Sequence, residues 1–118
     1  MIDHNSARRA CIRLLLVEDH ALVRDGLRAV LQAFPDIVIV AEASNGQDAL
    51  RIIKLCYPDV VLLDLTLPDM EGLTTLRSFR AVFPYTRVIV LTMQEEPSLA
   101  YAFRLAGARG YLLKSTPA

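Results

Sequence analysis

The sequence lacks what would mark a membrane protein, a disulfide scaffold or a free-standing nucleic-acid binder. No apolar run approaches the roughly 20 residues that a bilayer-spanning helix needs. Residues 1–10, MIDHNSARRA, hold no apolar core of an export signal. Cysteine is scarce: Cys11 and Cys56 have neither CxxC spacing nor a histidine-rich partner motif. They read as a tail thiol and a small core residue in a reduced, cytoplasmic chain. Neither sign of charge is in excess, with 13 basic residues, 13 acidic residues and a formal net charge of zero. That balance argues against a nucleic-acid binder, which normally shows a basic surplus; Arg8-Arg9 is too short to form a basic arm. What is abundant is apolar: 53% of 118 residues, enough for one core and too short a chain for two ordinary domains.

The apolar residues are arranged in a rhythm. Five short runs, Ile12 to Val17, Ile37 to Ala41, Val60 to Leu63, Val88 to Leu91 and Tyr111 to Leu113, recur along the chain. Apart from Arg13 they are continuous rather than alternating, as strands covered on both faces are. Between them lie helical spacings: Val23, Leu27, Val30, Leu31 and Phe34; Ala49, Ile52, Ile53 and Cys56; Leu76, Phe79 and Phe83; Leu99, Ala102, Phe103 and Ala106. Asn45-Gly46 reads as a turn into the second helix. Pro35, Pro58 and Pro84 follow three of the helices, Pro97 suits the first turn of the fourth, and Gly107 suits its C-terminal cap. The expectation is an α/β fold with a parallel sheet and right-handed crossovers. Residues 1–11 read as a tail and 12–118 as the domain. Ser115, Thr116 and Pro117 look like the start of a fifth helix, so the domain is expected to be cut short there and to continue beyond residue 118.

In open α/β sheets, ligands bind beyond the carboxyl ends of the strands. Those positions read Glu18-Asp19, Glu42, Asp64, Thr92 and Lys114. A lone acid at a strand end is usually a solvated terminus or a helix cap. If the first and third strands are neighbours, however, three carboxylates converge, and like charges that close call for a cation between them. A hard divalent ion such as Mg²⁺ suits an all-oxygen set. Lys114 adds a point charge for a phosphoryl oxygen and Thr92 a hydroxyl. Together these are the parts that phosphoryl transfer to an aspartate requires.

The sequence resembles a response-regulator receiver domain of the subfamily carrying a C-terminal helix-turn-helix (NarL/FixJ-like, LuxR-type). The resemblance spans about residues 12 to 116. Its carriers are Leu15-Leu16-Val17-Glu18-Asp19-His20, the segment from Val61 through Asp64-Leu65-Thr66-Leu67-Pro68 to Gly72, Val90-Leu91-Thr92, and Ala106 to Lys114. It implies a flavodoxin-like, doubly wound sheet of order 2-1-3-4-5, with the fifth helix missing from this chain. It also implies that Asp64 accepts a phosphoryl group from a sensor histidine kinase. Asp19, Asp64 and the backbone carbonyl of Thr66 would bind Mg²⁺, with Glu18 acting through water. Lys114 and Thr92 would hold phosphoryl oxygens, Tyr111 would turn inward as Thr92 moves, and Pro68 and Gly72 would shape the loop after Asp64. The output would be transcription regulation through a DNA-binding domain absent here, with phosphorylation-dependent homodimerisation, no membrane partner and no turnover of an external substrate.

Taken singly these residues have plainer readings. Thr92 reads equally as a β-branched strand end, Tyr111 as a half-buried edge aromatic, Lys114 as a solvated lysine and His20 as a cap or surface residue rather than a ligand. Met70 and Met93 read as loop gap-fillers. Three rival functions share parts of the pattern. A flavodoxin-like mononucleotide binder needs a phosphate cradle where Glu18-Asp19 stands. A Mg²⁺-dependent phosphatase with an aspartate nucleophile is suggested by Asp64-Leu65-Thr66, but its nucleophile belongs on the first conserved strand. A receiver-like module that is never phosphorylated does not need the intact set Asp19, Asp64, Thr92 and Lys114.

Overall fold

The computed structural model describes residues 11–64, 72–92, 102, 104–105 and 107–113. Strands β1 (Ile12–Val17), β2 (Ile37–Ala43), β3 (Val60–Asp64), β4 (Arg87–Thr92) and β5 (Gly110–Leu113) alternate with helices α1 (Ala21–Gln32), α2 (Gly46–Cys56) and α3 (Gly72–Val82). All the strand pairs are parallel, in the order β2-β1-β3-β4-β5. The expected α/β sheet and its order are therefore present.

The continuous apolar runs are continuous because both faces of the sheet are covered. Along β1, Leu15 and Val17 join a cluster with Ala49 and Ile53 of α2 and Leu76 and Phe79 of α3. Leu14 and Leu16 point the other way, toward Leu62, Leu91 and the half-buried Leu27 and Leu31 of α1. The two helical faces differ in depth. Ile53, Leu76 and Phe79 are fully enclosed, whereas α1 buries no residue completely. Val30 and Phe34, placed by their spacing on the apolar stripe of the first helix, are about half exposed, and Phe34 lies beyond the helix end. Helical spacing found the stripe but could not tell which of its positions reach the sheet.

Local chemistry sets the helix ends. The Oδ1 of Asn45 accepts the Asp48 N–H at 2.8 Å, capping α2. That helix stops at Tyr57, whose φ of 46° is left-handed and whose N–H bonds to the Ile53 carbonyl at 3.1 Å. A non-glycine residue in that region costs about 1–2 kcal/mol. Here the Arg13 guanidinium holds the Tyr57 carbonyl at 2.8 Å, and the Tyr57 ring meets Phe83 edge-on at 5.2 Å. Gly107, at φ 110°, takes the C-terminal position expected of it, with its N–H on the Arg104 carbonyl at 3.0 Å. Gly72 is the first residue of α3 rather than part of the preceding loop.

One irregularity re-aims a charge. The β1–β2 register passes from Leu14 opposite Ile39 to Leu15 opposite Ala41, so β2 carries an extra residue at Val40. Such a bulge turns every later side chain to the opposite face. Glu42 is consequently not a strand-end acid, as the sequence reading has it, but an internal residue of β2 facing α1. There it takes a bidentate ion pair from Arg28, Nε to Oε2 at 2.6 Å and Nη2 to Oε1 at 2.7 Å, with the Arg24 Nε 3.4 Å from Oε1. These guanidinium bonds hold the Glu42 carboxyl below the usual range, and the same bonds raise Arg28 further. Glu42 is removed from the candidate site.

Candidate functional site

Strand register alone assembles the acidic crevice. Val17 is paired with Leu63 across β1 and β3, so the next residues, Glu18 and Asp64, leave the sheet side by side. Both are fully buried. Asp19 follows, three-quarters covered, and one ligand atom from each of Glu18, Asp19, His20 and Asp64 lies within 4.8 Å of all the others.

His20 and Arg24 tie down Glu18. The Oε2 of Glu18 accepts the His20 N–H at 3.1 Å and meets His20 Nδ1 at 3.2 Å. The Glu18 backbone is fixed on both sides: its N–H continues the β1–β2 ladder to the Ala43 carbonyl at 3.0 Å, and its carbonyl takes the Arg24 guanidinium at 2.8 Å. Asp19 Oδ1 is buried and makes no hydrogen bond among the described residues, although His20 Nδ1 stands 3.2 Å away. Burying an ionised carboxylate costs several kcal/mol unless charge and hydrogen bonds offset it. Three clustered carboxylates with an unsatisfied oxygen therefore fit a hard divalent cation, whose preferred donors are carboxylates and water. Glu18, Asp19 and Asp64 are the residues that would hold it.

His20, read from the sequence as a cap or surface residue, is at the N-cap position of α1 but makes no side-chain cap bond. Its ring turns to the acids instead, while remaining mostly exposed. Arg24 was not singled out from the sequence. The only signal for it was its place one turn into the helix that follows the acids.

The remaining candidates are placed by backbone only, or not at all. Thr92 ends β4, one step beyond Leu91, which pairs with Asp64, and is itself paired with Leu113. Tyr111 is paired with Val90. Thr66, Pro68, Met70, Met93, Pro97 and Lys114 lie outside the described residues, as do Ser115 to Pro117. Among the described residues no helix is long and apolar enough to cross a membrane.

The family described as the response regulator receiver domain matches residues 14–118. The chain belongs to the response regulator receiver family. It is 38% identical over 106 residues to the transcriptional regulatory protein MctR of Rhizobium johnstonii, covering 90% of this chain and 50% of that protein. It is 39% identical to the transcriptional regulatory protein LiaR of Bacillus subtilis, covering 91% and 51%. It is 37% identical to the nitrate/nitrite response regulator protein NarL of Escherichia coli, covering 86% and 47%. The chain thus spans about half the length of these relatives. Among solved structures, the signal receiver domain of the response regulator NarL from Mycobacterium tuberculosis superposes with a TM-score of 0.85 at 34% identity, over 91% of this chain and 86% of that one. A LuxR-family response regulator from Aurantimonas sp. SI85-9A1 gives 0.86 at 36%, over 90% and 76%.

The chain is therefore a receiver domain of the NarL/LuxR type, within the two-component signalling systems. Members of this family are signalling proteins, and the mononucleotide-binder and phosphatase readings give way to that. Receiver domains typically bind Mg²⁺ through an acidic pocket, and Glu18, Asp19 and Asp64 form such a pocket here.

Proposed function

We propose that Asp64 is the phosphoacceptor of a two-component response regulator and that its phosphorylation switches a DNA-binding output. The observation that carries this is the register of β1 and β3, which buries Asp64 beside Glu18 and Asp19 at the carboxyl edge. In the proposed step an Asp64 carboxylate oxygen attacks the phosphorus of a phosphohistidine on a sensor kinase. The P–N bond breaks, the imidazole nitrogen leaves with the bonding pair and gains a proton, and an acyl phosphate forms. Mg²⁺, when bound, supplies neutralising charge for the phosphoryl oxygens. Asp19, Asp64 and the Thr66 backbone carbonyl would hold it, with Glu18 acting through water. Lys114 holds one phosphoryl oxygen and Thr92 another.

The new phosphoryl group adds negative charge and acceptor oxygens at the edge of the sheet. Thr92 and Tyr111 then bias a two-state equilibrium of the surface beside β5. A phosphorylation-dependent homodimer and DNA binding through a further domain complete the account, in the cytoplasm and with no external substrate turned over. The names of the relatives, transcriptional regulatory and nitrate/nitrite response regulator proteins, support this reading.

Incubation with acetyl phosphate and Mg²⁺ tests it. Intact-mass measurement is expected to show one phosphoryl group on the wild-type chain and none on Asp64→Asn. Equal labelling of the two chains, or none on the wild type, contradicts the proposal.

A further inference from the structure

The opposite edge of the sheet carries a charge problem of the other sign. At the amino ends of β4 and β5, a cleft of about 420 Å³ is lined by Arg80, Arg87, Arg104 and Arg109, with Tyr85 and Gly107 between them. No carboxylate lines it among the described residues, and none of the four guanidiniums forms a salt bridge there. The arginines come from α3, β4, the helical segment at 104–105 and the approach to β5, so the fold rather than a run of sequence brings them together.

The floor of the cleft is constrained. Arg80 Nη1 bonds the carbonyls of Pro84 at 2.7 Å and Thr86 at 3.4 Å, and its other guanidinium nitrogens make no hydrogen bond among the described residues. Its stem crosses directly over Gly107, where a Cβ would stand 2.7 Å from Arg80 Nε. Any other residue at 107 would push Arg80 aside, besides being strained at φ 110°. The Arg109 N–H extends the β4–β5 ladder to the Val88 carbonyl at 2.8 Å, which fixes where its side chain leaves the sheet.

Four solvent-facing cations around one cleft give it a positive potential that draws anions, and planar guanidiniums match phosphoryl oxygens two at a time. The volume is that of a small-molecule site. A second cleft of about 330 Å³ adjoins it, sharing Tyr85 and Arg87; its other lining residues are the apolar Tyr57, Pro58 and Phe83 together with Thr86 and one carboxylate, Asp59. An aromatic shelf beside a polycationic cleft suits a planar base attached to a chain of phosphates.

We propose that the arginine cleft at the amino edge of the sheet binds a small polyphosphate, and that the aromatic cleft beside it accepts the base when that polyphosphate belongs to a nucleotide. The site is independent of Asp64 and lies across the sheet from it, roughly 15 Å away along the strands.

Calorimetric titration of the 118-residue chain with tripolyphosphate and with ATP, in EDTA so that Mg²⁺ chemistry at the carboxyl edge is absent, tests the proposal. Saturable binding at one ligand per chain is expected. Arg104→Gln and Arg109→Gln should each weaken it about tenfold, the loss expected for one charge-assisted pair. Both side chains are exposed and make no hydrogen bond or ion pair among the described residues, so an unchanged thermal melt will show that the fold is intact. Arg51→Gln on α2 and Asp64→Asn should leave binding as it is. Tyr85→Ala should weaken ATP and not tripolyphosphate if the ligand is a nucleotide, and neither if it is inorganic polyphosphate. Absence of saturation, an equal loss in Arg51→Gln, or tighter binding of an acidic peptide than of either phosphate overturns the proposal.

Discussion

The two edges of the sheet solve opposite electrostatic problems with opposite degrees of burial. At the carboxyl edge Glu18 and Asp64 are fully enclosed and Asp19 is mostly so, and the cluster is built by adjacent strands in register. At the amino edge the four arginines are exposed or half-exposed and come from separate elements around an open cleft. Enclosed charges feel one another strongly because little water screens them, so the acidic edge is where a single added phosphoryl group can reorganise its neighbours. The arginine edge, bathed in solvent, can attract and hold an anion at little cost when empty. The zero net charge of the chain hides this polarity.

Several changes break or sharpen the contrast. The largest effect should come from the framework the edges share. Phe79→Ala removes a fully enclosed ring and should cost about 3–5 kcal/mol, measured by urea denaturation, degrading both edges together. Next is the response to Mg²⁺. A ligand at a hundred times its Kd stabilises by about 2.7 kcal/mol, so the wild-type melting temperature should rise with added Mg²⁺. Asp19→Asn should remove most of that rise while leaving tripolyphosphate binding unchanged.

A smaller effect is expected at Glu42, whose charge is already answered. Its folded pKa lies below the unfolded value, so its stabilising contribution is complete above the ordinary carboxylate range and is lost as pH falls through the folded value. Glu42→Gln should lower the melting temperature by a few degrees near neutral pH, and the difference from wild type should vanish in acid. Mg²⁺ binding should survive it. The smallest contrast is between the thiols. Burial pushes the Cys56 thiol up, whereas Cys11 is exposed, so a disulfide reagent near pH 8 should modify Cys11 first.

Much of this was legible in the sequence. The jump from Leu16-Val17 to Glu18-Asp19 and from Leu63 to Asp64 locates the acidic edge, because an aliphatic run ending in carboxylates marks where a buried strand meets a polar crevice. What the sequence did not reveal was Glu42. A bulge at Val40 leaves no compositional trace, and without it the side chain would face away from Arg28. Nor did it show the arginine cleft, since Arg80, Arg87, Arg104 and Arg109 are spread over thirty residues and meet only through the crossovers. His20 stands at the helix start and largely exposed, as its sequence reading has it, and its ring nitrogen also reaches the acids.

The central claim is that Asp64, and no other carboxylate of the cluster, receives the phosphoryl group. Borohydride reduction after acetyl phosphate treatment converts an aspartyl phosphate to the alcohol, and fragment mass spectrometry then locates it. Reduction at Asp64 alone, dependent on Mg²⁺ and lost in Asp19→Asn, is the predicted result. Reduction at Asp19 or Glu18, or an equal yield at Asp64 in EDTA, would contradict the account.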